Sequence, residues 1–163
     1  MKKLRFFLIL MVIALLATAG VAAAQSDQRN FRAHLSGDNE VPPVDTLAQG
    51  QAIFKLSDDG TALHYKLIAA NIDNILQAHI HVGPAGANGP VVAFLYPSAP
   101  PAQLIPGRFD GVLAEGTITA ANLTGPLGGA SLDSLIAEMR AGNTYTNVHT
   151  IAFPGGEVRG QNH

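Results

Sequence analysis

From about residue 31 onward, apolar and polar positions alternate in short runs separated by Gly, Pro, Asn and Asp. A period of two marks β-strands, whose successive side chains point to opposite faces. Many such runs between turn residues predict an all-β domain. In 51–56, Ala52, Phe54 and Leu56 share one face. After the turn signal Asp58-Asp59-Gly60, Leu63, Tyr65 and Leu67 match them, with His64 and Lys66 on the other side. These two runs predict a hairpin. Further strands are expected at 31–36, 76–82, 90–96, 111–119, 144–151 and 157–161. A helical period appears once: Leu132, Leu135, Ile136 and Met139 follow Ser131 as N-cap, with Arg140 near the negative end of the dipole and Gly142-Asn143 beyond it. One short helix is therefore expected to plug an open end of the β structure, with Met139 filling core. Pro97 to Asp110 carries four prolines and reads as a long loop. Pro/Gly corners between short strands suit a sandwich or a barrel, and an antiparallel two-sheet sandwich with one short helix is the fold expected. No internal repeat or second domain is visible.

The amino terminus departs from this pattern. Met1-Lys2-Lys3-Leu4-Arg5 precedes an uncharged apolar run from Phe6 to about Leu16, and the segment ends Ala22-Ala23-Ala24-Gln25. A basic start, an apolar centre and an Ala-x-Ala end are the parts of a secretory signal peptide, expected over 1–24. Cleavage after Ala24 leaves 139 residues (163 less 24), beginning with a polar, flexible lead-in over 25–30. An uncleaved membrane anchor is the alternative, and the Ala-rich end favours cleavage. The expected destination is secreted, periplasmic or cell-surface, with no membrane contact once the signal is removed. Losing Lys2, Lys3 and Arg5 takes three positive charges from a net −2, giving −5. With no basic patch elsewhere, nucleic acid is not an expected partner. The chain has no cysteine, so disulfides, thiolate metal ligands and a lipid-modified cysteine are all excluded. No Gly-x-Ser-x-Gly, phosphate-cradling Gly-rich loop or carboxylate pair points to nucleophilic, phosphate or glycosidic chemistry.

The chemistry-bearing segment is Ala78-His79-Ile80-His81-Val82-Gly83-Pro84. On a strand His79 and His81 project side by side, giving half of a metal site on one rigid element. In 144–151, Tyr145, Asn147, His149 and Ile151 share a face; past Pro154-Gly155-Gly156, so do Glu157, Arg159 and Gln161. If these runs form a hairpin, His149 lies close to Glu157 or Arg159. The expected centre is a copper or zinc ion held by His79, His81 and His149, with Asn147, Glu157 and Arg159 around the ligands. Two plainer readings compete with it: hydrogen-bonded histidines without metal, and an ordinary solvent-facing polar row. His34, His64 and His163 read as surface residues. Glu40, beside Val41-Pro42-Pro43-Val44, reads as a buried partner for an arginine. Asn122-Leu123-Thr124 fits a glycosylation acceptor of a eukaryotic secretory pathway.

Several of these stretches together resemble the CHRD domain, the module named for chordin. They are Leu35 to Val44, Ala78 to Pro90, Gly116-Thr117-Ile118, Leu123 to Pro126, Ala141 to Tyr145, Asn147 to Thr150 and Pro154 to Gln161. The resemblance covers 31–163 in order and implies an extracellular, β-sandwich-like binding or structural module, immunoglobulin-like or superoxide-dismutase-like, with no settled activity. Its partner would be an extracellular protein or a small ligand. The His-x-His strand, the later histidine and the C-terminal arginine also resemble the copper site of copper/zinc superoxide dismutases. That likeness would make His79, His81 and His149 copper ligands and Arg159 an anion guide. No zinc-binding histidine cluster or bridging histidine accompanies them. Three functions are thus expected to compete: a binding or structural module with a three-histidine metal site, a copper-dependent redox enzyme, and a metal-free adhesion or matrix module.

Overall fold

The computed structural model describes residues 28–163, so the expected signal peptide over 1–24, and 25–27 of the lead-in, lie outside the described residues. Seven strands and one α-helix follow in the order β1 (Asn30–Ser36), β2 (Gln49–Leu56), β3 (Leu63–Val82), β4 (Val91–Tyr96), β5 (Ile105–Ile118), α1 (Leu132–Arg140), β6 (Thr144–Thr150) and β7 (Val158–Gln161). The domain is all-β apart from α1 and short 3-10 turns, and every strand pairing is antiparallel.

The long strand β3 organises the rest. Its first half pairs with β2 and β5, and its second half with β6 and β4. Sequence alternation suggested two separate strands here, at 61–67 and 76–82. They form one 20-residue strand because Asn71 and Asn74 absorb the intervening irregularity at φ 56° and 53°. Asparagine enters this left-handed region more readily than other side-chain-bearing residues, and the β5 pairing shifts register at both points.

A plain two-sheet sandwich is not what forms. β2 pairs with β1, β1 with β7, β7 with β6, β6 with β3, and β3 again with β2, so five strands close into a barrel. The β1–β7 seam rests on Ser36 opposite Arg159. The seam needs Gly160, where an added Cβ would stand 2.2 Å from the His34 carbonyl oxygen. Alternation alone does not distinguish the two architectures, because both bury every second residue.

The expected loop at 97–110 is also partly strand. β5 begins at Ile105, with Ile105, Arg108 and Phe109 opposite Ile75, Asp73 and Ile72. Pro106 is tolerated because it sits in an irregular stretch of that pairing. The predicted inward rows hold: Ala52, Phe54, Leu56, Leu63, Tyr65 and Leu67 are all buried. The apolar stripe of α1, Met139 included, joins the same core. Ser131 is the N-cap residue, though its hydroxyl makes no capping bond. At the other end of α1, Arg140 donates to the Gln28 carbonyl at 3.2 and 3.0 Å. Among the described residues no helix is long and apolar enough to cross a membrane.

Candidate metal centre

Register fixes which side chains meet. In the β3–β6 pairing His79 lies opposite Asn147 and His81 opposite Tyr145; across β6–β7, Asn147 lies opposite Arg159 and Tyr145 opposite Gln161. Directly opposed residues share a face, so β3, β6 and β7 present one polar surface carrying His79, His81, Tyr145, Asn147, His149, Arg159 and Gln161. On the other face, Ala78, Ile80, Val148 and Val158 enter the core. The polar surface does not meet solvent. His79 is 3% exposed, His81 7%, His149 6%, Asn147 2% and Arg159 1%. This burial removes the solvent-facing reading of the row.

Two backbone carbonyls orient the rings. His81 Nδ1 lies 2.8 Å from the Gly89 oxygen and His149 Nδ1 lies 2.9 Å from the Pro154 oxygen. A carbonyl only accepts, so both Nδ1 atoms carry the proton and both Nε2 atoms keep a lone pair. His149 Nε2 is 3.1 Å from His79 Nδ1. His79 Nε2 and His81 Nε2 are buried with no partner. One nitrogen from each ring can be chosen so that all three lie within 4.8 Å of one another. Bonds of about 2.0–2.1 Å place two nitrogens of a tetrahedral ion roughly 3.3 Å apart. Because His149 Nε2 can only accept, the 3.1 Å contact is a hydrogen bond from His79 Nδ1, and the lone pair that His79 offers an ion is on Nε2.

Burial is the main cause that lowers the basicity of all three rings. His79 is pushed down to about 3, with the neighbouring His149 and His81 adding to the effect. For His81 and His149 the carbonyl bonds work against the lowering. The cluster is therefore neutral at pH 7, the protonation state that a divalent ion requires of imidazole.

The surrounding residues take distinct positions. Arg159 donates from Nη2 to the carbonyls of Pro84 (3.1 Å) and Ala87 (2.8 Å) and from Nη1 to Asn88 Oδ1 (3.2 Å). Its guanidinium also lies 3.4 Å from the centre of the Tyr145 ring. Tyr145 in turn stacks on His81, with centroids 4.7 Å apart and planes at 8°. Arg159 thus clamps the 83–90 loop over the histidines. An anion guide needs its terminal nitrogens free, and here they are committed to the protein's own oxygens. The Glu157 carboxylate accepts from Thr46 at 2.8 Å and from Thr150 at 2.7 Å. It ties the 41–48 segment to the end of β6. Asn147 sits beside His79 and His81, and its Oδ1 has no partner.

Glu40 is buried and interacts electrostatically with Arg159, as its sequence context suggested. Burial raises its carboxyl to about 7, against the opposing pull of Arg159 and the Val41 backbone. Sequence reasoning did not place Tyr145 or Phe94 against the histidine rings. Tyr145 shares its alternation with Asn147 and His149, a usable signal. Phe94, edge-on to His79 at 4.9 Å, depends on the β3–β4 register and left none. His34, His64 and His163 are exposed, as expected.

Residues 31–162 match the family model of the CHRD domain. No curated protein and no solved structure matches the chain.

Proposed function

The chain belongs to the CHRD domain family, and from that premise and the buried histidines we propose that it is an exported binding or structural module built around a three-histidine copper or zinc centre. One observation carries the reading: carbonyls fix the Nδ1 protons of His81 and His149, leaving lone pairs of buried imidazoles directed into one cluster. Without an ion, His79 Nε2 and His81 Nε2 stay buried and unsatisfied, at a cost of about 1–3 kcal/mol each. An ion bound there joins β3 to β6 in a chain that has no disulfide to do so. The nitrogen-only donor set suits copper(II) or zinc better than calcium or magnesium, which take oxygen ligands. The recognised partner would be an extracellular protein or small ligand.

The supporting experiment is titration of the protein with Zn(II) and Cu(II), read by calorimetry and thermal unfolding, beside His79→Ala, His81→Ala and His149→Ala. One-to-one binding is expected, with stabilisation near 2.7 kcal/mol at a free metal concentration 100 times Kd. Each substitution should remove both effects. Absent binding, or binding that survives all three substitutions, would overturn the three-histidine centre and leave an adhesion or matrix module.

A further inference from the structure

Among the described residues, four buried side-chain polar atoms have no hydrogen-bond partner: His79 Nε2, His81 Nε2, Asn147 Oδ1 and Glu40 Oε1. They lie together. Asn147 is opposite His79 across the strands and acts on His81. Asn147 and Glu40 meet at Gly156, where an added Cβ would stand 2.4 Å from Glu40 Oε1 and 2.9 Å from Asn147 Nδ2. Native folds leave few such atoms, and a cluster of them asks for an occupant.

A metal ion answers only half of this patch. It takes the imidazole lone pairs, but it has no proton to offer the two oxygens. Three protein ligands leave a fourth position on a tetrahedral ion, the arrangement that holds water or an exchangeable ligand. Water has two protons, and two acceptors are waiting. Resting on the metal reading above, we propose that the fourth position carries an exchangeable water held between Asn147 Oδ1 and Glu40 Oε1, which makes the centre open to small monodentate ligands.

Of these four residues Glu40 alone lines either of two cavities, of about 620 and 310 Å³, so the buried patch meets open space at that carboxylate; the smaller cavity is shared with Asn88, Pro154 and Gly156. His34, Asp38, Arg159 and His163 are the other titratable groups on the larger cavity. Glu40 is a positioning residue here: it orients the water and its negative charge opposes an incoming anion. Its proton affinity, near pH 7, means that it is mostly ionised and accepting at pH 8.

The test loads the protein with one equivalent of Cu(II) at pH 8 and titrates azide, following the charge-transfer absorption. Glu40→Gln is treated in parallel, and pulsed EPR in H2O and D2O is recorded on the unsubstituted protein. Expected are azide binding, tighter by on the order of tenfold in Glu40→Gln as the anion repulsion is removed, and exchangeable protons coupled to copper. Copper bound without azide binding or exchangeable protons would overturn this inference while leaving the metal site standing. Equal azide affinity in the two proteins would overturn the role of Glu40. Failure to bind copper at all would instead overturn the metal reading. If Glu40→Gln does not fold, the pulsed EPR of the unsubstituted protein still decides whether the water is present.

Discussion

Replacing Arg159 by methionine keeps most of the side-chain length and removes the guanidinium. Four acceptors then lose this donor: the Pro84 and Ala87 carbonyls, Asn88 Oδ1 and, at 3.4 Å, Gln161 Oε1. Each hydrogen bond from a charged donor contributes about 1.5–3 kcal/mol, and contact with the Tyr145 ring adds about 1–2 kcal/mol. Against this, the variant no longer desolvates a guanidinium, whose burial lowers its own basicity, and carbonyls at the loop edge can regain water. The expected net loss is therefore about 3–5 kcal/mol, the range for breaking a buried charged contact. For a domain whose stability is about 5–15 kcal/mol, that lowers Tm by on the order of 10–20 °C. Urea unfolding followed by far-UV circular dichroism measures it, the chain having no tryptophan. Arg159→Lys keeps the charge but not the planar donor set or the stack, and should fall between the two. A loss below 1 kcal/mol in Arg159→Met would refute the clamp and with it the explanation of why the polar face is buried.

Two further outcomes concern acidity and close packing. In the metal-free protein the folded pKa values of His79, His81 and His149 lie below the unfolded 6.5. Their contribution to stability is thus complete above pH 6.5 and is lost as pH falls towards about 3, the value for His79. Glu40 acts oppositely: its contribution is complete below 4.5 and lost as pH rises through about 7. Denaturation midpoints between pH 4 and 8 should fall on the acid side, where three rings outweigh one carboxyl; a midpoint unchanged from pH 7 to 4.5 would contradict this. Gly156 has φ 129°, and its added Cβ would overlap Glu40 Oε1. Gly156→Ala should destabilise by about 2–3 kcal/mol in thermal or urea unfolding, and a neutral substitution would show that Glu40 does not press against that turn.

The parts of this fold that alternation governs were legible. Phe54 and Tyr65 face inward in a hairpin as their spacing indicates, and the stripe from Leu132 to Met139 forms the helix in the core. His79, His81 and His149 meet because a period of two fixes the face of each side chain, and β3 and β6 happen to be adjacent. Long-range events were not legible. Barrel closure depends on Ser36 meeting Arg159, more than 100 residues apart in sequence. Burial of the polar face depends on Arg159 reaching back across 72 and 75 residues to the 83–90 loop. Asn71 and Asn74 look like turn residues, yet they bend one strand without ending it, since both positive-φ positions sit where the pairing shifts register. Glu40 reads as an arginine partner from sequence, but its approach to Gly156 and Asn147 follows only from the folded 41–48 and 151–156 segments.

The central claim is that three imidazoles share one ion, and X-ray absorption at the zinc edge of the one-to-one zinc-loaded protein tests it most directly. The account predicts imidazole scattering from three histidines at about 2.0–2.1 Å with one further light ligand. A shell dominated by oxygen, or one with fewer than two imidazoles, would contradict it and move the metal to the protein surface.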